Sequence, residues 1–239
     1  MTVVRLVWDQ LDWVRLPAAR QKDTFPKRTR EFSICNMSKI ILIGGSPTAG
    51  KSYTARKIAE ELKLPWISTD TIREQMREIV RKEDYPNLFQ HEDDSTDKAV
   101  EFLTHNTAKE IVEHHNKENE DVWRGVVGII EGDYVWGDFI IEGVAILPKL
   151  VVNQGWNNKK DIKVVFLIDE DRERVRNTIY TRGLWNKAEN YPDNVKEKEV
   201  EWVFEFNNYI KHESKKYNLP MVNIGNRKDY IAEIKIIIQ

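Results

Sequence analysis

Ile40-Ile41-Leu42-Ile43-Gly44-Gly45-Ser46-Pro47-Thr48-Ala49-Gly50-Lys51-Ser52 decides how the rest of the chain reads. A β-branched run ends in a glycine-rich turn, and helical spacing begins at Lys51. Gly45 to Ser52 satisfies G-x-x-x-x-G-K-[ST]. Such a turn aims backbone N–H groups at a phosphate chain, and the helix N-terminus behind it adds positive potential. Lys51 can then reach the β- and γ-phosphates, and the Ser52 hydroxyl can join the shell of a Mg²⁺ ion. The eight-residue pattern gains specificity from its place after a strand and before a helix. The expected ligand is a nucleoside triphosphate, held by Gly45, Ser46, Pro47, Thr48, Ala49, Gly50, Lys51, Ser52 and Tyr53.

The bulk of the chain suits one α/β domain of ordinary size, since 239 residues with 41% hydrophobic content supply one core. A net charge of −2 provides no field for nucleic acid or an anionic membrane, so neither is an expected partner. Cys35 is the one cysteine, which excludes an internal disulfide and fits a reducing, cytoplasmic setting. No apolar run approaches the ~20 residues of a membrane span.

Residues 1–36 look unlike the rest of the chain. Val3 to Leu16 could form an amphipathic helix, Pro17 and Pro26 interrupt it, and Arg20 to Arg30 is basic. Asp9 and Asp12 break the apolar stretch that a secretory signal needs. This segment is expected to be a weakly structured extension, with the folded domain spanning 37–239 from Met37.

Beyond the glycine-rich turn, Tyr53 to Lys63 reads as a helix with Ile58, Ala59 and Leu62 inward. Leu64–Ser68 is a short strand, and helical spacing resumes at Thr71 with Thr69 or Asp70 as cap. Residues 81–96 read as a polar loop, Asp97 to Glu118 as a long helix, and Asp121 to Ile130 as another. Phe139–Gly143, Val164–Ile168 and Leu219–Gly225 complete five strands. Helices are expected over Arg172 to Thr181, Val195 to Tyr217 and Asp229 to Ile237. Strands alternating with helices predict a three-layer α/β fold with a five-stranded parallel sheet.

In such sheets ligands bind beyond the carboxyl ends of the strands. The second strand delivers Asp70 there, followed by Arg73, and the third delivers Glu142. Glu142 has the place of a Walker-B acid that helps Ser52 hold Mg²⁺. Asp70 can accept the proton of an acceptor hydroxyl or, equally, cap its helix. Arg73 can pair with an acidic group on the acceptor. Arg172, Arg174, Arg176 and Arg182 lie where a basic lid would close, with Arg176 and Arg182 the expected phosphate contacts. His114 and His115 are adjacent on a helix and cannot chelate one ion well, and His91 with Asp93 and Asp94 reads as a polar loop. The tryptophans at 123, 136, 156, 185 and 202 read as core or pocket wall.

Gly44 to Ser52, Ser68-Thr69-Asp70-Thr71-Ile72-Arg73-Glu74-Gln75-Met76-Arg77 and Ile141-Glu142-Gly143-Val144-Ala145-Ile146-Leu147-Pro148 together resemble the 2-phosphoglycerate kinase-like branch of P-loop kinases. The resemblance covers roughly residues 39–230 in outline. It implies an adenylate-kinase-like P-loop NTPase fold with a basic lid, ATP and Mg²⁺ as co-substrates, and a small phosphorylated or hydroxylated acceptor. In that scheme Lys51, Asp70, Arg176 and Arg182 are catalytic, Asp70 and Arg73 bind the acceptor, and Ser52 and Glu142 hold the metal. Two enzymatic alternatives share the motifs: a nucleotide or nucleoside kinase, and a zeta-toxin-like sugar-nucleotide kinase. A further alternative is an NTP-binding switch acting through a protein partner.

Overall fold

The computed structural model describes residues 39–89, 96–132, 137–184, 188–225 and 229–239. The proposed extension 1–36, the His91 cluster, Trp136 and Trp185 fall outside these residues, as does the boundary at Met37.

Five strands form one parallel sheet: β1 (Ile40–Gly45), β2 (Trp66–Ser68), β3 (Phe139–Glu142), β4 (Ile162–Ile168) and β5 (Met221–Asn223), in the order β2-β3-β1-β4-β5. β1 is central, pairing Leu42 with Ile141 on one side and with Val164 on the other. Its alternation divides the core. Ile41 and Ile43 face Ala55 and Ile58 of α1 (Lys51–Leu62) and Ile234 of α8 (Tyr230–Ile238). Ile40 and Leu42 belong to the larger cluster on the opposite face, with residues of α2 (Thr69–Ile79), α4 (Ala108–Glu131), α5 (Pro148–Asn153) and α7 (Asp193–Lys216). α3 (Thr96–His105) precedes α4, and α6 (Arg172–Arg182) packs Val175 and Ile179 against Val200 and Val203 of α7. Both faces of the sheet are covered, so its central strands are apolar throughout.

This is the three-layer P-loop NTPase fold, with a five-stranded parallel sheet as expected. Four local expectations change. The helical break predicted near residue 119 lies at Asn106–Thr107. There Thr107 and Glu110 form a reciprocal capping box, with Thr107 N–H donating to the Glu110 carboxylate at 2.8 Å. α4 then runs unbroken through Glu118 and Asn119, which are buried rather than looped out. Ser68, not Thr69 or Asp70, caps α2, its hydroxyl accepting from Thr71 N–H at 3.1 Å. Leu62 is half exposed rather than inward. The stretch after α2 includes a 3₁₀ turn at Pro86–Phe89 whose Leu88 is fully buried.

Candidate active site

β1 delivers the glycine-rich loop at the topological switch point, since the chain lays β2 and β3 on one side of β1 and then crosses to β4 and β5 on the other. Gly45 has φ 137°, and a Cβ there would lie 2.1 Å from the Leu167 carbonyl oxygen, so the loop can leave the sheet only as glycine. Thr48 also takes a left-handed conformation, φ 63°. Its Oγ1 is buried with no hydrogen-bond partner among the described residues. α1 begins at Lys51 with no side chain capping it. An uncapped helix start and an unpaired hydroxyl beside it suit an anion.

Lys51 is buried, and its ammonium donates to the Ser46 carbonyl at 2.6 Å, folded back over the loop. Ser52 donates its hydroxyl to Glu142 Oε1 at 2.9 Å. Glu142, at the end of β3, is itself buried. Burial pushes the Glu142 carboxyl up, opposed by Lys51 and the Ser52 hydroxyl, and the same burial pulls the Lys51 ammonium down, opposed by Glu142 and Asp70. A hydroxyl and a carboxylate oxygen this close are hard donors that suit Mg²⁺.

The acceptor half sits across β3. Gly143 has φ 147°, and a Cβ there would fall 1.8 Å from Thr69 Oγ1, so the chain after β3 passes tight against the start of α2. Asp70, in the first turn of α2, is largely exposed toward the cleft and lies 3.3 Å from Arg73 Nη1. Burial works against the charge of Arg73, but Glu118, Asp70 and Glu74 outweigh it and hold the guanidinium above its ordinary range.

Pro47, Thr48, Lys51, Ser52, Asp70, Arg73, Glu142 and Arg182 all border one cleft of about 320 Å³. Residues predicted from separate strand ends thus come together. Other expected residues do not line it. Ser46 is buried and donates its hydroxyl to Asn207 Oδ1 at 2.6 Å, while Ala49 packs into the core behind the loop. Tyr53 is half exposed beside Arg56. Arg176, expected at phosphate, does not border the cleft: its guanidinium pairs with Glu197 at 2.5 Å and lies over the Tyr180 ring. Arg174 is bound by Asp169, and Arg172 lies over Phe204.

The structure adds residues that the pattern of motifs did not single out. His115 and Trp202 line the cleft with Leu184 and Phe206, and the His115 ring stacks on Trp202 at 4.6 Å. Trp202, expected as core or wall, is a wall. The available signal for His115 was its place on the apolar stripe of its helix, with Glu118 one turn on. Among the described residues no cluster of three His, Cys, Asp or Glu side chains could hold a metal by itself.

Several known proteins resemble this chain. A family model described as zeta toxin matches residues 24–116. A 2-phosphoglycerate kinase of Methanocaldococcus jannaschii is 29% identical over 77% of this chain and 57% of its own length. One of Methanopyrus kandleri is 28% identical over 82% of this chain and 59% of its own. The chain resembles the 2-phosphoglycerate kinases. It spans under two thirds of the length of those relatives. The zeta toxin match takes in the glycine-rich loop and the start of α2, two of the elements that build the cleft. Among solved structures, a gluconokinase of Sinorhizobium meliloti aligns over 85% of this chain and 91% of its own, with a TM-score of 0.44 and 14% identity.

Proposed function

We propose that this chain is an ATP-dependent phosphotransferase that moves the γ-phosphoryl group to the hydroxyl of a small phosphorylated acid, as the name of its 2-phosphoglycerate kinase relatives suggests. The carrying observation is that Lys51, the Ser52–Glu142 pair, the Asp70–Arg73 pair and Arg182 border a single cleft beyond the carboxyl ends of adjacent strands.

The glycine-rich loop and the start of α1 seat the triphosphate, and Lys51 exchanges its Ser46 carbonyl for phosphate oxygens. Asp70 holds the acceptor hydroxyl in line and takes its proton as the oxygen bonds to the γ-phosphorus. The bond from that phosphorus to the β–γ bridging oxygen breaks, and ADP leaves. Lys51 and Arg182 meet the charge spread over the moving group, in a site where buried charges act with little screening. Arg73 pairs with an acidic group of the acceptor. Ser52 and Glu142 would hold Mg²⁺, which when bound supplies positive charge to the phosphates. A cytoplasmic setting, with ATP and the acceptor as partners, completes the reading. No helix of the described residues is long and apolar enough to cross a membrane.

The match to the zeta toxin model supports a second reading, phosphorylation of a sugar nucleotide. An ATP-consumption screen against phosphorylated acids, nucleotides, sugars and UDP-sugars, with Lys51→Ala as control, tests both. Turnover raised by a phosphorylated acid supports the first, turnover raised by a UDP-sugar supports the second, and no stimulation above the control overturns phosphotransfer.

A further inference from the structure

The acceptor half of the cleft is backed by a carboxylate that the phosphotransfer scheme leaves without a task. Glu118 sits in the middle of α4, almost wholly buried, and does not line the cleft. Its Oε1 lies 3.0 Å from Arg77 Nη2 and 3.9 Å from Arg73 Nε, and its Oε2 lies 3.7 Å from His115 Nδ1. Arg77 is occupied with structure, donating from Nε to the Leu88 carbonyl at 2.6 Å and pairing with Glu74 at 3.1 Å. Arg73 and His115 are different, because both border the cleft. The stack on Trp202 fixes the plane of the imidazole, and Glu118 fixes its Nδ1 edge.

A carboxylate this deep is costly to desolvate, and it persists because several cationic partners offset the cost. Burial pushes the Glu118 carboxyl up, yet His115, Arg73 and Arg77 outweigh it and hold the group below the usual carboxylate range. The acceptor half also contains Asp70, which repels an anion. A phosphorylated acid entering there needs a cationic surface held at a set angle. Arg73 is held between carboxylates, with Asp70 at 3.3 Å and Glu74 at 3.0 Å on its exposed side and Glu118 at 3.9 Å as the buried member of the set.

We propose that Glu118 is a positioning residue for the acceptor, aiming the Arg73 guanidinium and the His115 ring as a polar wall that receives the acceptor's existing phosphate while its hydroxyl faces Asp70. His115 is then a specificity-determining residue that touches the acceptor. The inference rests on the phosphotransferase reading and adds the part of the acceptor that the protein recognises.

The test is steady-state kinetics of Glu118→Gln and His115→Phe with 2-phosphoglycerate, or, failing turnover with it, the phosphorylated acid that works best in the ATP-consumption screen. Glu118→Gln should raise the acceptor KM at least tenfold, with kcat and the KM for ATP within threefold of wild type. His115→Phe keeps a stacked ring and the Glu118–Arg77 pair, and should raise the acceptor KM threefold or more with the same split. A purely structural Glu118 would lower kcat and ATP affinity together without that selectivity, and this outcome overturns the proposal. So does an acceptor KM within twofold of wild type in both variants. If Glu118→Gln does not fold, His115→Phe decides alone. A wild type that phosphorylates no acid overturns both this inference and the reading beneath it, whereas an active wild type with unmoved variants overturns the inference only.

Discussion

Arg176 and Arg182 lie on the same basic helix and carry the same charge, yet their surroundings differ. At about 100° per residue the two side chains leave α6 about 120° apart around the helix. That turns Arg176 to Glu197 and Tyr180 and Arg182 to the cleft. Arg182→Ala should therefore lower kcat at least 100-fold, while Arg176→Ala, which loses an exposed ion pair, should stay within threefold. Initial-rate measurements at saturating ATP and acceptor distinguish them, and equal losses would contradict the placement. Asp70 tests the other side of the reaction. Because Ser68 caps α2, removing the charge of Asp70 leaves the cap intact. Asp70→Asn should drop kcat by two orders of magnitude or more with ATP affinity within threefold, read by turnover beside nucleotide binding. Full activity would reduce Asp70 to a helix-end charge.

Between elements, the loop is tied to its neighbours by one buried amide. Asn207 on α7 accepts the Ser46 hydroxyl at 2.6 Å and donates to the Asp169 carbonyl at 2.7 Å, and the Asp169 carboxylate grips Arg174 at the start of α6. Asn207→Ala leaves Ser46 and Asp169 with lost partners in the interior, at about 1–3 kcal/mol. It should lower the melting temperature and weaken ATP binding, whereas unchanged affinity in a destabilised protein would show that the loop keeps its shape unaided. The Thr107 cap acts in a simpler way. Thr107→Ala removes one half of the capping box and should cost about 1 kcal/mol of stability by chemical denaturation, with no loss of kcat. The capping box was legible as Thr107-x-x-Glu110, but the polar run from Glu118 to Asp121 suggested a break there. In the fold Glu118 and Asn119 are buried on the long helix, with Glu118 behind the cleft, which is why a hydropathy pattern misread that stretch.

For the molecule as a whole, Glu199 makes stability depend on pH. It is buried on α7, and burial pushes its carboxyl up to about 7, partly offset by the Leu184 backbone amide and by Lys196. The folded state therefore holds this proton more tightly than the unfolded chain does. The group costs nothing below the unfolded carboxylate range, and the stability it permits is lost as pH rises through about 7. Glu199→Gln should be more stable than wild type at pH 8, by roughly 2–3 kcal/mol, and the gap should close below about pH 4.5. Melting temperatures of both proteins across that range check the sign, and a gap that widens on acidification would refute it.

The sequence by itself determined the layered sheet, the phosphate loop and the acids at the ends of the second and third strands. Those features are local: a glycine demanded by positive φ at Gly45, an apolar run along β1 whose residues alternate between the two faces, and a lysine and a serine at the mouth of a helix. Only the tertiary structure decided that Arg182 and not Arg176 meets the cleft, that Ser46 turns inward to Asn207, and that His115 and Glu118 stand behind Arg73. Each of those outcomes depends on which helix packs beside which, and contacts such as Ser46 with Asn207 join residues far apart in the chain. Spacing along the sequence carries no record of them, because a buried charge is tolerated only where its partners arrive from other elements.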